Sequence, residues 1–275
     1  MAHRPFTPGD IVSNDEMRKA FKIGNMGGMR KSNTYNCLVI ISDHTKGLYE
    51  DRWYSDELHY TRMGKVGDQV LTGNQNGTLY YSRTNGIEVH LFEVLKAQAY
   101  IYRGVVTLAG DPYQETQLDE NGDPRKVWMF PLKVTSGVPI VTEQDFEESQ
   151  KARRTKAEKM VASELHKMAV AHSTDKPGRR TVSSVQYVRD PFVSEYAKSM
   201  AKGICELCNQ PAPFKDKKDK PYLETHHIVR LADGGADSIH NTVALCPNCH
   251  RKMHIVNDQS DVKTLVNVAK KNAAK

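Results

Sequence analysis

The chain has little of what membranes, secretion or fibres require. Its longest purely apolar run is five residues, Cys37 to Ile41, whereas a bilayer-spanning helix needs about 20, so no membrane partner is expected. The opening MAHRPFTPGD lacks the apolar stretch of a secretory leader, which points to a reducing cytoplasm. There is no internal repeat and no low-complexity tract. Hydrophobic residues at 39% and charged residues at 26% are ordinary globular proportions and exclude a disordered or fibrous chain. At 275 residues the length exceeds one usual domain, and two domains with a connector are expected.

Acidic excess is missing from the C-terminal half. Residues 1–150 carry 16 Lys+Arg against 20 Asp+Glu, residues 151–175 carry 6 against 3, and residues 176–275 carry 17 against 10. The formal charge of +6 therefore sits toward the C-terminus, where it is either a solvated surface or an attractant for phosphate.

From Asn36 to about Leu132, short β-type runs (YNCLVIIS, ELHYT, IEVHLFEVL, YIYRGVVTLA, KVWMFPLKV) alternate with turn signals such as Asn76-Gly77, Asn85-Gly86 and Asn121-Gly122. That spacing predicts a compact barrel or sandwich. Residues 142–173 contain no glycine or proline and predict one long helix. Its apolar positions Met160, Val161, Leu165, Met168 and Ala169 make one face, for a connector or for docking. Residues 174–184, STDKPGRRTVS, read as a flexible basic linker. The expected segments are 1–141, a connector and linker over 142–184, and 185–275.

Four of the five cysteines form two Cys-x-x-Cys pairs, Cys205/Cys208 and Cys246/Cys249, with 37 residues between them. Four thiolates so paired suit a tetrahedral zinc ion, and a disulfide is the lesser alternative in a reducing compartment. Cys37, inside an apolar run, reads as a buried small hydrophobe. Pro247 suits a first helical turn, and on that helix His250 and His254 are spaced i, i+4 and can grip one cation. His90 and His166 stand alone and receive no role.

The order Cys-x-x-Cys, LETHHI, Gly234-Gly235, Asn241 and CPNCHRKMH resembles the HNH (ββα-metal) endonucleases, especially their McrA-like and colicin-type branches, over about residues 203–256. The resemblance implies His226, His250 and His254 as ligands of one catalytic divalent ion (Mg, Mn, or a transition metal such as Ni, Co or Zn). It implies His227 as general base, with Asn241 fixing the loop between two strands and orienting His227. The alternative is a zinc module whose histidines are surface residues or further ligands.

The stretch from Gly47 through Tyr49-Glu50-Asp51 to His59-Tyr60-Thr61-Arg62 is similar to the SRA (SET and RING-associated) domain, whose motif runs through YED and YTG. Arg62 stands where that glycine would be. The resemblance implies a PUA-like β-barrel that flips a modified cytosine out of the duplex, with Tyr49 and Tyr60 stacking on the base and Asp51 and Thr61 at its polar edge. The alternative places these aromatics in the core.

Together the two halves resemble a modification-dependent restriction endonuclease. The expectation is an α+β protein of two domains: an SRA-like barrel, a helical connector, and a C-terminal HNH domain with a four-cysteine zinc knuckle. The partners would be double-stranded DNA carrying 5-methylcytosine or 5-hydroxymethylcytosine and a second copy of the chain. The rivals are a non-catalytic reader of modified DNA and an HNH nuclease for unmodified or structured DNA.

Overall fold

A computed structural model of the chain describes all residues except 1–2, 46–50, 62–63, 65, 73–74, 120–122, 138 and 174–175; of 152 and 171 it describes the backbone only. The described residues form two compact units, 1–184 and 185–275. The architecture is mixed α+β. Among the described residues no helix is long and apolar enough to cross a membrane.

The first unit runs β1 (Ile11–Val12), α1 (Asn14–Phe21), β2 (Met29–Ser32), β3 (Cys37–Asp43), β4 (Arg52–Tyr54), β5 (Glu57–Thr61), α2 (Gln75–Tyr80), β6 (Glu88–Lys96), β7 (Ala99–Leu108), β8 (Tyr113–Leu118), β9 (Pro124–Val134), β10 (Val141–Thr142), α3 (Glu143–Glu158), α4 (Ala162–His172) and β11 (Val182–Ser183). Nine strands make one sheet in the order β2-β3-β6-β7-β9-β5-β4, with β1 added to β7 and β8 to β9. Each of the five β-type runs supplies one strand: β3, β5, β6, β7 and β9. The pair β3–β6 is parallel, while β2–β3, β6–β7 and β5–β9 are antiparallel.

β3 is buried along almost its whole length, and the two-residue period of a strand explains how. Leu38 and Ile40 face one core with Leu58, Leu91 and Phe130; Cys37, Val39 and Ile41 face another with Met17, Phe21 and Phe92. Met17 and Phe21 share a face of α1, whose start is fixed by a capping box between Ser13 and Glu16. Burying two such side chains stabilises by about 1.5–3 kcal/mol each. Where β7 bulges opposite β6, Arg103 is the extra residue between Tyr102 and Gly104. Gly104 has φ +100°, and a Cβ there would lie 2.8 Å from the Ser136 hydroxyl oxygen. The bulge aims Arg103 at Glu93, as bulges re-aim side chains.

Two expectations for residues 142–184 are corrected. The single long helix is two, α3 and α4, separated at Lys159–Val161. Ala157 of α3, Met160 in the break and Leu165 and Met168 of α4 line one cavity of about 360 Å³, with Leu165 still exposed. The flexible linker is instead a docked strap. β11 pairs in parallel with β10, Arg179 exchanges backbone hydrogen bonds with Trp53 and Ser55, and Arg180 reaches Glu93. Glu93 is fully buried and accepts from Trp53 Nε1, Arg103 and both terminal nitrogens of Arg180, with His44 Nε2 3.0 Å away. Burial pushes this carboxyl up, but Arg180 and His44 outweigh it and hold it well below the usual range.

The second unit contains α5 (Pro191–Ala201), β12 (Glu224–His227), β13 (Thr242–Leu245), α6 (Pro247–Ile255) and α7 (Gln259–Ala273). β12 and β13 form an antiparallel ribbon in the register His226↔Val243 and His227↔Thr242. Val243, Ala244 and Leu245 of that ribbon share a core with Met253 of α6 and with Leu265 and Ala269 of α7. This ββα arrangement holds the histidines and cysteines in place.

Candidate metal centre and active site

The four knuckle sulfurs, of Cys205, Cys208, Cys246 and Cys249, lie within 4.8 Å of one another, and Cys208 and Cys246 are 4.0 Å apart. A tetrahedron of sulfurs about 2.3 Å from zinc has edges of about 3.8 Å, so the cluster is the size such an ion requires. At Cys205 burial raises the thiol pKa, but backbone N–H groups of Cys208, Cys246 and Leu207 outweigh it and bring the thiol to about 7, whereas burial and the neighbouring thiols push Cys208 and Cys249 up. Cys246 stands at the N-cap position of α6 and Pro247 opens it, so the cysteine cluster fixes the start of the helix that carries His250 and His254.

The ligating atoms of His226, His250 and His254 also lie within 4.8 Å of one another. Their ring centroids are 4.6–5.2 Å apart, all edge to face. His226 is 3% exposed, and neither of its ring nitrogens has a hydrogen-bond partner among the described residues. A buried imidazole left so costs the desolvation of its polar atoms, which a cation among the three rings would offset. Burial first, and the neighbouring His250 and His254 next, pull its pKa down to about 3; the ring is neutral, as a metal ligand must be. His250 donates through Nδ1 to Glu224 Oε2, leaving Nε2 for the centre. His254 is lowered by burial and by His250.

His226 and His227 are neighbours on β12, where successive side chains take opposite faces. His227 lines a cavity of about 590 Å³ together with His250, His254, Arg189 and Arg230. Its Nε2 lies 2.8 Å from Asp237 Oδ1. Asn241 makes no hydrogen bond to His227. Its amide accepts from Val229 N and donates to Val229 O and Ala236 O, at 2.8–2.9 Å, bracing the loop from β12 to β13. In that loop Gly234 has φ +83°, and a Cβ on Gly235 would meet Val229 O at 2.0 Å, so the turn accepts glycine alone.

Sequence reasoning missed Glu224 and Asp237, the carboxylates that touch His250 and His227. Glu224 opens the strand two residues before His226, a spacing that puts both on one face and was legible. Asp237 lay ten residues from its partner, beyond any strand periodicity.

In the first unit Asp51 is half-buried and accepts from Thr61 N and the Ser42 hydroxyl, both at 2.7 Å. Burial raises its carboxyl, against the opposing bonds from Thr61 and Ser42. Asp51 and Thr61 are thus brought together, and Asp51 opens on a cavity of about 310 Å³ that includes His44, Trp53 and Arg180. Tyr49 lies outside the described residues. Tyr60 departs from the expectation of an open stacking face. It is 3% exposed, packs in the core with Leu58 and Phe130, and donates its hydroxyl to Gly28 O at 3.0 Å, because alternation on β5 turns it inward.

Residues 205–255 match the HNH endonuclease family, and residues 9–157 match the ScoMcrA-like SRA domain family. The chain is similar to the type IV methyl-directed restriction enzyme EcoKMcrA of Escherichia coli (strain K12), at 54% identity over 68 residues, 25% of this chain and 24% of that protein. It thus spans about a quarter of that relative. Among solved structures it resembles the type IV phosphorothioation-dependent restriction endonuclease ScoMcrA, at 21% identity over 98% of this chain and 63% of that one, TM-score 0.40. It also resembles the modification-dependent TagI restriction endonuclease, at 20% identity over 92% and 79%, TM-score 0.37. With more than half of its length matched, the chain belongs to the ScoMcrA-like SRA domain family and carries an HNH endonuclease domain at its C-terminal end.

Proposed function

We propose that this protein is a modification-dependent restriction endonuclease, whose first unit reads modified cytosine in duplex DNA and whose second unit hydrolyses a phosphodiester bond. The observation that carries the reading is His226: both ring nitrogens buried and unpartnered, facing His250 and His254, beside a cavity that His227 lines. A divalent ion held by the three histidines supplies neutralisation of charge on the phosphate and on the leaving oxygen. His227 takes a proton from the attacking water. The water oxygen bonds to phosphorus, and the bond from phosphorus to the leaving deoxyribose oxygen breaks with its electron pair on that oxygen. Arg189 and Arg230 line the same cavity and suit phosphate. Zinc is the ion suited to the four cysteines, and thiolates kept for metal suit a reducing cytoplasm.

For base reading, Asp51 offers a half-buried acceptor held in place by the backbone N–H of Thr61 at the end of β5. An acceptor such as Asp51 suits the exocyclic amine of cytosine, and extruding the base costs a few kcal/mol that pocket contacts must offset. With one cluster of three histidines among the described residues, cutting both strands calls for two copies or two successive nicks.

The test is a plasmid assay with 5-methylcytosine, 5-hydroxymethylcytosine or plain DNA, each with magnesium, manganese, nickel or cobalt. Metal-dependent nicking confined to modified DNA, abolished by His227→Ala and made indiscriminate or lost by Asp51→Ala, is expected. Equal cutting of plain DNA removes the reader; no nicking with any metal removes the nuclease.

A further inference from the structure

On the nuclease reading above, we propose that Asp237 is the positioning residue that fixes His227 as the Nε2–H tautomer, leaving Nδ1 as the nitrogen that receives the proton from water. Asn241, which the motif offers for that task, does not reach the ring; its amide is spent on Val229 and Ala236.

The loop from β12 to β13 is built to deliver a carboxylate. Arg230 through Gly235 closes on itself: Asp233 N and Gly235 N both bond to Arg230 O at 2.9 Å, and Gly235 approaches Val229 O so closely that no Cβ fits. Asn241 then holds Ala236 by its carbonyl. The next residue is Asp237, whose two oxygens have separate tasks. Oδ1 lies 2.8 Å from His227 Nε2, and Oδ2 accepts from Asp190 N at 2.6 Å, so the carboxylate cannot rotate away from the ring without losing a bond. An ionised carboxylate only accepts hydrogen bonds. The nitrogen facing it must therefore carry the proton, and the tautomer of a neutral imidazole follows from the bond its other nitrogen makes. His227 is 6% exposed, so water competes little for Nε2.

Asp237 touches neither the three clustered histidines nor the cysteines, so its removal leaves both clusters intact while freeing the base to adopt the wrong tautomer. This separates it from Glu224, which acts on a ligand.

The experiment uses the full chain as wild type, Asp237→Ala and Asp237→Asn, with nicking rates measured over a range of DNA concentrations. Expected are a fall in kcat of about 10- to 100-fold for Asp237→Ala with KM within about twofold, and partial recovery in Asp237→Asn, which keeps an acceptor oxygen. In parallel, ¹⁵N-histidine NMR on the same proteins should show His227 as one tautomer in the wild type and a mixture in Asp237→Ala. Unchanged binding of manganese checks that the variants are folded. A wild-type-like kcat in Asp237→Ala, or a His227 spectrum that the substitution leaves unchanged, overturns the assignment. Absence of nicking by the wild type counts against the nuclease reading alone, and the tautomer spectrum still decides Asp237.

Discussion

His254 turns its Nε2 toward the Nε2 of His250, 2.9 Å away and one helical turn back on α6. Two imidazole nitrogens at that distance share either a proton or a cation. Since His250 Nδ1 already donates to Glu224, its Nε2 holds a lone pair when the ring is neutral. With His226 alongside, one ring nitrogen from each of three imidazoles lies within 4.8 Å of the others.

Two independent metal sites are therefore expected. The wild type should retain about one zinc per chain after purification and take up one further divalent ion, measured by elemental analysis and titration calorimetry. His254→Ala should lose the second ion and keep the zinc; loss of both together would show that the two clusters are one site.

Glu224→Gln tests the carboxylate behind His250. Removing a partner that orients a ligating imidazole typically costs 10–100-fold in metal affinity, and the manganese affinity of Glu224→Gln should fall by about that factor. Unchanged affinity would make the Glu224–His250 contact incidental.

Cys246→Ser should loosen the whole second unit. Cys246 stands at the N-cap position of α6, without a side-chain capping bond, and belongs to the core with Val243 and Leu245; structural zinc sites contribute about 10–16 kcal/mol of apparent binding free energy to folding. Rapid proteolysis within residues 185–275, reproduced in the wild type by a strong chelator, is the expected result, with residues 1–184 left resistant.

The strap makes a different prediction. Glu93→Ala strands Arg103 and Arg180, and removing one member of a buried charge cluster costs about 3–5 kcal/mol. Urea denaturation of the first unit should show a loss of that order, and a loss below about 1 kcal/mol would mean that the cluster is solvated in solution.

His90 gives the first unit a pH dependence of its own. It is fully buried, bonded through Nδ1 to the Tyr102 hydroxyl at 2.8 Å, and burial pulls its pKa down to about 4. A histidine whose folded pKa lies below its unfolded value contributes stability that is complete above pH ~6.5 and is lost as pH falls toward ~4, here about 3 kcal/mol. His90→Gln should flatten the stability profile across that window; equal slopes for both proteins would disprove it.

Much was legible beforehand because the relevant periods are short. The five β-type runs became strands, since alternation with turn residues between runs is a local property. The cysteine pairs and the i, i+4 histidines were readable because zinc and a helix face each demand fixed spacings. The break between α3 and α4 was not, because Lys159–Val161 contains no glycine or proline to mark it. Nor did the linker's composition show that Glu93, 87 residues away, would bind Arg180.

What the sequence by itself determined is the chemistry available: four thiols and two imidazoles at metal-ligand spacing, a third imidazole that the HNH resemblance implied with a further histidine beside it, and a strand-rich first half. What only the tertiary structure decided is which groups serve those residues. Asp237 rather than Asn241 lies against His227, Glu224 lies against His250, and the ring of Tyr60 faces the core. The reason is physical: ligand spacing is set by bond lengths and helical pitch within a few residues, whereas a carboxylate finds its imidazole only after a loop has closed around Gly235 and a sheet has paired.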